Sequence, residues 1–94
     1  MDKNKLQLLI QGILSLENEE ECLNFLEDVC TINEMEDISH RMEIAYLLYK
    51  GRTFNEVQEL TGASSTTISR VSRCLKHGMG YKTVLKKIKN IQNL

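Results

Sequence analysis

The chain has 94 residues, of which 41% are hydrophobic and 27% charged, with a formal net charge of −1 at pH 7. This length suits one small domain over residues 1–94 and is too short for two independent cores. No signal peptide is evident and no apolar segment is long enough to span a bilayer, so we expect no membrane partner. The three cysteines form an odd, widely spaced set, which favours reduced thiols in a cytoplasmic protein over a disulfide framework.

Apolar residues at helical spacing predict six helices and no strand, which is an all-α fold. The first helix runs from about Asp2 to Ser15. Three capping signatures, each a polar residue followed by Glu three positions later, open the next three helices: Asn18 with Glu21, Thr31 with Glu34, and Thr53 with Glu56. Gly51 and Gly62 are natural ends for the third and fourth helices.

The last two helices complete the chain. The fifth is capped by Ser64 or Ser65 and ends at His77-Gly78, and a basic sixth helix spans residues 80–92. Residues predicted to turn inward are Val57 and Leu60 in the fourth helix, Ile68, Val71 and Leu75 in the fifth, and Val84, Leu85, Ile88 and Ile91 in the sixth. The lysines predicted to turn outward from the sixth helix are Lys82, Lys86, Lys87 and Lys89.

The N-terminal helices, residues 1–50, carry more apolar residues than one short chain has core to hide. Those outside the main apolar stripes are Leu8, Leu16, Phe25, Ile32 and Leu47. We expect these helices to form a dimerisation region shared between two copies of the chain. Scattered exposed apolar residues are also normal on a monomer, so both interpretations stay open.

Charge is divided unevenly between the two halves. Residues 1–51 hold eleven acids and four bases, net −7, and residues 52–94 hold eight bases and two acids, net +6. From Gly62 to the end there are seven bases and no acid. Such a distribution is typical of a basic surface directed at phosphates, although a solvated basic helix explains it equally well.

Residues 53–77 fit a helix-turn-helix. Gly62 can take the left-handed conformation that turns the chain sharply, and Ala63 is small enough for a close helix crossing. The residues left to face outward from the second helix are Ser65, Thr66, Thr67, Ser69, Arg70 and Arg73. Short hydroxyl side chains can contact phosphates and bases, whereas long apolar side chains would keep the helix out of the major groove. The segment therefore predicts binding to double-stranded DNA.

The stretch "DISHRMEIAYLLYKGRTFNEVQELTGASSTTISRVSRCLKHG" resembles the Trp repressor (TrpR) superfamily, and most closely its YerC/YecD-type branch of TrpR-like regulators. The elements that carry the resemblance are Arg41 in "HRMEI", the helix end "LLYKG", and the block "TGASSTTISR" followed by "SRCLK". The resemblance implies a six-helix TrpR-like fold, an intertwined homodimer, and a transcriptional repressor that reads a palindromic operator.

The resemblance also implies roles for individual residues. The candidates for reading bases are Ser65, Thr66, Thr67, Ser69 and Arg70. Arg73 and Lys76 match positions that hold the phosphate backbone, and Arg52 could add a phosphate contact at the start of the preceding helix.

A ligand pocket is implied less directly. Arg41 and Arg70 match two arginines that clamp the indole in the Trp repressor, and Thr31 matches a contact from the partner chain. Val71 stands where the repressor has a glycine, and Cys74 where it has a serine. Because a β-branched side chain would occupy the space of the ring, we expect no cofactor and no L-tryptophan, leaving either another small-molecule effector or none.

Four alternatives accompany this interpretation: an ion pair, a metal site, an enzyme and an interaction module. Arg41 could instead form an internal ion pair with Glu34, Glu36 or Glu43. Cys74 and His77 supply two ligands only, so we expect no metal site, and without a nucleophile elbow or phosphate loop we expect no enzyme. A protein-interaction module, or another DNA-associated scaffold, is the alternative function.

Overall fold

A computed structural model of the chain describes residues 1–88, and within that range it contains six α-helices and no strand. The helices are α1 (Lys3–Leu14), α2 (Glu19–Val29), α3 (Ile32–Tyr49), α4 (Phe54–Thr61), α5 (Ser65–His77) and α6 (Gly80–Lys87). The prediction of an all-α, six-helix fold is confirmed. No helix in this part of the chain is long and apolar enough to cross a membrane.

The capping residues account for where the helices begin. The Glu21 N–H donates to Asn18 Oδ1 at 2.9 Å, at the start of α2. Reciprocal capping boxes, in which each residue's N–H donates to the other's side chain, join Thr31 to Glu34 at 2.8 and 3.1 Å, and Thr53 to Glu56 at 2.9 and 3.2 Å. All three predicted capping signatures are therefore confirmed, and each satisfies N–H groups that a helix leaves unpaired at its start.

The chain divides into two compact units, residues 1–35 and a second unit that begins at Glu36. In the first unit neither α1 nor α2 contains a buried residue. Every Leu and Ile of α1 is at least 39% exposed, and Leu8 and Leu14 reach 75% and 74%. The first unit thus presents a large apolar surface that its own two helices do not cover.

The second unit contains the core. Its buried residues are Ile44, Ala45, Tyr46, Leu47, Val57, Ala63, Ile68, Val71 and Leu85. Two residues that we expected to face inward do not, since Leu60 is 59% exposed and Val84 is 46% exposed. Helices α4 and α6 have only eight residues each, and a single side chain, Val57 in α4 and Leu85 in α6, supplies the buried contact of each.

The C-terminal helix is shorter than predicted. It ends at Lys87, because Ile88 is extended at φ −80° and ψ 125°, and residues 89–92 of the predicted helix lie outside the described range. Lys82 does not point freely outward, since its Nζ donates to the backbone carbonyl of Lys76 at 2.8 Å. That bond connects α6 to the last turn of α5, where helix carbonyls lack partners within the helix.

The junction between α5 and α6 is sterically tight. The Gly78 N–H donates to the Cys74 carbonyl at 2.8 Å, which ends α5. A Cβ atom at position 78 would come within 2.8 Å of that same oxygen, a separation too short for any real contact. Only a glycine fits this backbone arrangement without a shift.

Candidate nucleic-acid interface

The turn between α4 and α5 is built from three adjacent residues. Gly62 adopts the left-handed conformation, with φ +71° and ψ 8°, which few residues other than glycine adopt readily. The Thr61 hydroxyl donates to the Val57 carbonyl at 2.7 Å and accepts from the Ala63 N–H at 3.2 Å. Thr61 therefore fastens both sides of the turn, and Ala63, buried, starts the chain back toward the core.

Helix α5 is capped by Ser64 and anchored by its inner face. The Thr67 N–H donates to Ser64 Oγ at 3.2 Å, so Ser64 rather than Ser65 is the cap. Ile68 and Val71 are 0% and 2% exposed, which fixes the rotation of the helix about its axis. The exposed residues of α5 are Ser65, Thr66, Ser69, Arg70, Arg73, Cys74, Lys76 and His77.

Thr67 departs from the set that we expected to face outward. It is half-buried, its hydroxyl lies 3.0 Å from Ser64 Oγ, and its side chain lines a cleft on the α3 side of the helix. At about 100° per residue, Thr66 and Thr67 point in clearly different directions. A run of adjacent Ser and Thr residues cannot all lie on one face of a helix, and burial of Val71 turns Thr67 away from solvent.

Arg52 precedes α4 and is held by its own helix. Its guanidinium lies 3.2 Å from the Glu56 carboxylate, and the two side chains are 52% and 44% exposed. The Thr53 backbone N–H, then the Thr53 side chain and the Arg52 guanidinium, lower the pKa of the Glu56 carboxyl below its ordinary value. Glu56 thus both caps α4 and orients Arg52 at the start of the helix-turn-helix.

A cleft of about 590 Å³ separates α3 from α5. It is lined by Asp37, His40, Arg41, Thr67, Arg70, Val71, Cys74 and Tyr81. The structure therefore brings together four of the five residues predicted for a ligand pocket, and open space remains beside Val71. Asp37, His40 and Tyr81 were missed, although Asp37 lies one helical turn before Arg41 on α3.

The internal ion pair considered for Arg41 is tested by the structure, whereas the role of Thr31 as a contact from the partner chain stays a prediction. Arg41 forms no ion pair with any residue between 1 and 88, so the internal ion pair that we considered is absent from the described residues. Thr31 lies in the first unit, where its hydroxyl accepts the Glu34 N–H at 3.1 Å.

A smaller groove of about 290 Å³ lies on the other side of α5. It is lined by Phe54, Ser69, Ser72, Arg73, Lys76 and His77. Sequence reasoning missed Phe54, Ser72 and His77 as site residues. For Ser72 and His77 the sequence did contain a signal. One helix face is indicated by spacings of three and four among Ser69, Ser72, Arg73, Lys76 and His77.

Metal ligands do not cluster in the described residues: no group of three or more His, Cys, Asp or Glu side chains among positions 1–88 could hold a metal ion. All three cysteines are free thiols. The chemistry available at α5 is that of cations, hydroxyls, one imidazole and one thiol.

A left-handed glycine turn, two short helices, and an exposed face of hydroxyls and bases on a six-helix frame define a helix-turn-helix of the Trp repressor type. The chain belongs to the Trp repressor protein family, whose sequence model matches residues 4–89. This match confirms the resemblance seen in the sequence. The family is one of DNA-binding regulators rather than of enzymes.

The similarity to related proteins extends over nearly the whole length of this chain. The chain is 43% identical over 89 residues to the uncharacterised protein YerC of Bacillus subtilis, covering 94% of this chain and 86% of YerC. A TrpR-like protein from Eubacterium eligens superposes with a TM-score of 0.83 at 43% identity, over 95% of this chain and 96% of that one. A candidate Trp repressor from Staphylococcus aureus superposes with a TM-score of 0.84 at 39% identity, over 92% and 87%.

Proposed function

We propose that the protein is a homodimeric transcriptional repressor that binds a palindromic operator in double-stranded DNA through residues 53–77. Base edges in the major groove are read by the exposed first turns of α5, namely Ser65, Thr66, Ser69 and Arg70, with Thr67 supporting that surface through Ser64. Phosphates are held by Arg73 and Lys76 on α5 and by Arg52 before α4. The protein acts in the cytoplasm and performs no catalysis.

One observation carries the proposal, which is the composition of the outward face of α5. The helix is fixed by the buried Ile68 and Val71, so its exposed residues stand in a defined array. That array contains Ser, Thr, Arg, Lys, His and Cys and no acid, in a chain with net charge −1. Acids are repelled by phosphates, and small hydroxyl side chains allow the helix axis to approach the floor of the groove.

The apolar surface of α1 supports the dimer. Six of its twelve residues are Leu or Ile, all of them exposed, and an apolar surface of that size is typical of a protein–protein interface. A cleft of about 470 Å³ in the second unit, lined by Met42, Cys74, Gly78, Gly80, Tyr81 and Val84, is also almost entirely apolar. Two-fold symmetry would present two copies of α5 about 34 Å apart, one turn of DNA.

An effector, where one exists, would occupy the cleft between Arg41 and Arg70. The two guanidiniums favour an anionic group, while Asp37 on the same wall repels a carboxylate placed near it. Val71 contributes a β-branched side chain to the lining where an indole would need flat space. We therefore propose a small molecule other than L-tryptophan, or no effector.

Selection from a pool of random duplexes at low salt tests the function, run with and without a mixture of cellular metabolites. We expect enrichment of a palindrome with half-sites one helical turn apart. The variant Ser69→Asp should lose the enrichment, because it places an acid on the reading face. The variant Ser39→Asp introduces the same charge at an exposed position of α3 and should retain it.

Failure to enrich any palindrome would rule out the regulator and favour a protein-interaction module that uses the same fold. Calorimetry with L-tryptophan tests the cleft separately. We expect no heat of binding, and a micromolar affinity would show that Val71 leaves room for the ring.

A further inference from the structure

The 290 Å³ groove beside α5 differs in character from the reading face and from the α3–α5 cleft. Its wall on α5 is a stripe in which two hydroxyls, Ser69 and Ser72, are followed toward the end of the helix by three basic side chains, Arg73, Lys76 and His77. Phe54, the first residue of α4, closes the opposite edge. The groove is thus bounded by both helices of the helix-turn-helix, whose relative position is fixed by the turn at Gly62.

The charges in this groove have no counter-charge from the protein. No acid is among the six lining residues, and neither Arg73 nor Lys76 forms an ion pair with any residue from 1 to 88. Two cations one helical turn apart repel each other, and an anion between them converts that repulsion into attraction. The arrangement therefore fits a compact anion bound between the two cations.

The remaining groups match a phosphate better than a carboxylate. Ser69 and Ser72 add hydroxyl donors on the same stripe, and a phosphate has several acceptor oxygens to use them. The groove volume equals that of about ten water molecules, at about 30 Å³ each, which leaves room for a phosphate with part of a sugar. The ring of Phe54 supplies an apolar edge of the kind a deoxyribose can contact.

We propose that this groove is a seat for a single phosphodiester of the DNA backbone, shared by Arg73 and Lys76 and completed by Ser72 and His77, while Ser69 at its edge belongs to the reading face. The proposal rests on the proposed function, since the diester comes from bound duplex. It differs from the usual expectation that two exposed cations on a helix neutralise two separate phosphates. The side chain of Phe54, which lines the groove, limits how far the diester can enter it.

Salt dependence distinguishes one phosphate from two. The slope of log K against log salt changes by about 0.9 for each phosphate neutralised on B-DNA. We would measure duplex binding between 50 and 200 mM salt for Arg73→Met, Lys76→Met and the double variant. Each variant is present in both subunits of the proposed dimer, so a shared phosphate predicts that the slope of the double variant falls by about 1.8, whereas two separate phosphates in each subunit predict a fall of about 3.6.

A charge-matched control accompanies these variants. Lys5→Met removes one positive charge from an exposed position of α1, outside the groove, and should leave the slope unchanged. The single variants should each reduce the slope by less than about 1.8, because the remaining cation in each subunit still neutralises its phosphate. Ser72→Ala should weaken binding several-fold at a constant slope, because it removes a donor and no charge.

A second measurement tests the groove without duplex. Backbone amide spectra of the wild type would be recorded during titration with dimethyl phosphate, a diester, and separately with inorganic phosphate. We expect dimethyl phosphate to shift the amides of Phe54 and of residues 69–77, and to shift none of them in the Arg73→Met, Lys76→Met double variant. Shifts with inorganic phosphate alone would assign the groove to free phosphate and overturn the proposal.

The outcomes separate the seat from the function. A fall of about 3.6 in the double variant, or an unchanged slope, overturns the shared seat while duplex binding by the wild type still supports the regulator. Absence of duplex binding by the wild type rules out the regulator and with it a seat for backbone diesters. A fall of about 1.8 together with the dimethyl phosphate shifts supports the seat.

Discussion

Glu56 performs two tasks with one carboxylate at the start of α4. One oxygen accepts the Thr53 N–H at 2.9 Å and the other lies 3.2 Å from the Arg52 guanidinium. These partners lower the pKa of Glu56, so the folded state favours the charged form. A lowered pKa contributes stability above the ordinary glutamate value, and this contribution is lost as pH falls through the folded-state pKa.

We therefore expect the wild type to unfold at a higher temperature than Glu56→Gln at pH 7, with the gap closing below about pH 4. Thermal unfolding followed by circular dichroism from pH 7 to pH 3 measures the gap. A gap that is independent of pH would mean that the charge of Glu56 contributes nothing to α4.

Gly62 provides a second test at the level of one residue. Ala at this position meets no atom within 4 Å, so the cost of Gly62→Ala comes from its φ of +71° alone, about 1 kcal/mol. The matched control is Gly80→Ala at the start of α6, where space is equally open and φ is not left-handed. The control should stabilise the fold by roughly 0.5 kcal/mol. Urea unfolding of both variants checks the opposite signs.

Helix α5 presents different residues on different faces, and substitutions at two adjacent positions test whether the faces have the separate roles that we propose. Thr66 is exposed beside the reading residues, whereas Thr67 lines the α3–α5 cleft and pairs with Ser64. We expect Thr66→Val to change the sequences recovered from random duplexes, because a base contact is worth about 1–3 kcal/mol of discrimination. Thr67→Val should leave those sequences unchanged and lower stability by about 1 kcal/mol. The opposite pattern would show that α5 is rotated relative to the structure described above.

The starts of the helices were the part of the fold that the sequence predicted best. Capping depends on residues three apart, so Asn18, the Thr31 pair and the Thr53 pair could be recognised without tertiary information. The extent of α4 between Thr53 and Gly62 was predicted correctly, whereas the extent of α6 and the exposure of Leu60 and Val84 were predicted less well. Those properties depend on which neighbours are present to cover a short helix, and spacing alone does not supply them.

The candidate site was predicted in part for a similar reason. The helix-turn-helix pattern predicts that Ser64 caps α5 and that Ser69 and Arg73 face outward. It does so because the pattern fixes the position of the turn and of the inward-facing residues. Thr67 was assigned to the wrong face because a run of hydroxyl residues carries no apolar marker of rotation. The groove at Phe54 could not be predicted, since it forms between residues of two helices that meet only through the turn.

For the whole molecule, we propose that DNA affinity depends on dimerisation. A charge placed in the apolar face of α1 should separate the subunits, and Ile13, 50% exposed, lies on that face. We expect Ile13→Glu to shift sedimentation to the monomer and to weaken duplex binding about 100-fold, since each half-site would then bind alone. Gln11→Glu adds the same charge to α1 at a polar position and should remain dimeric. An Ile13→Glu variant that stays dimeric would assign α1 to another partner.

The end of α5 restricts which amino acids position 78 can accept during evolution. Because a Cβ at position 78 would meet the Cys74 carbonyl at 2.8 Å, the limit is one of space and applies equally to every other amino acid. The neighbouring Met79 is 72% exposed and carries no such limit. In a library randomised over residues 77–80 and selected only for folding, position 78 should therefore return to glycine while position 79 diversifies. A position restricted to glycine, followed directly by a variable position, would identify this helix end in distant sequences in which little else can be aligned.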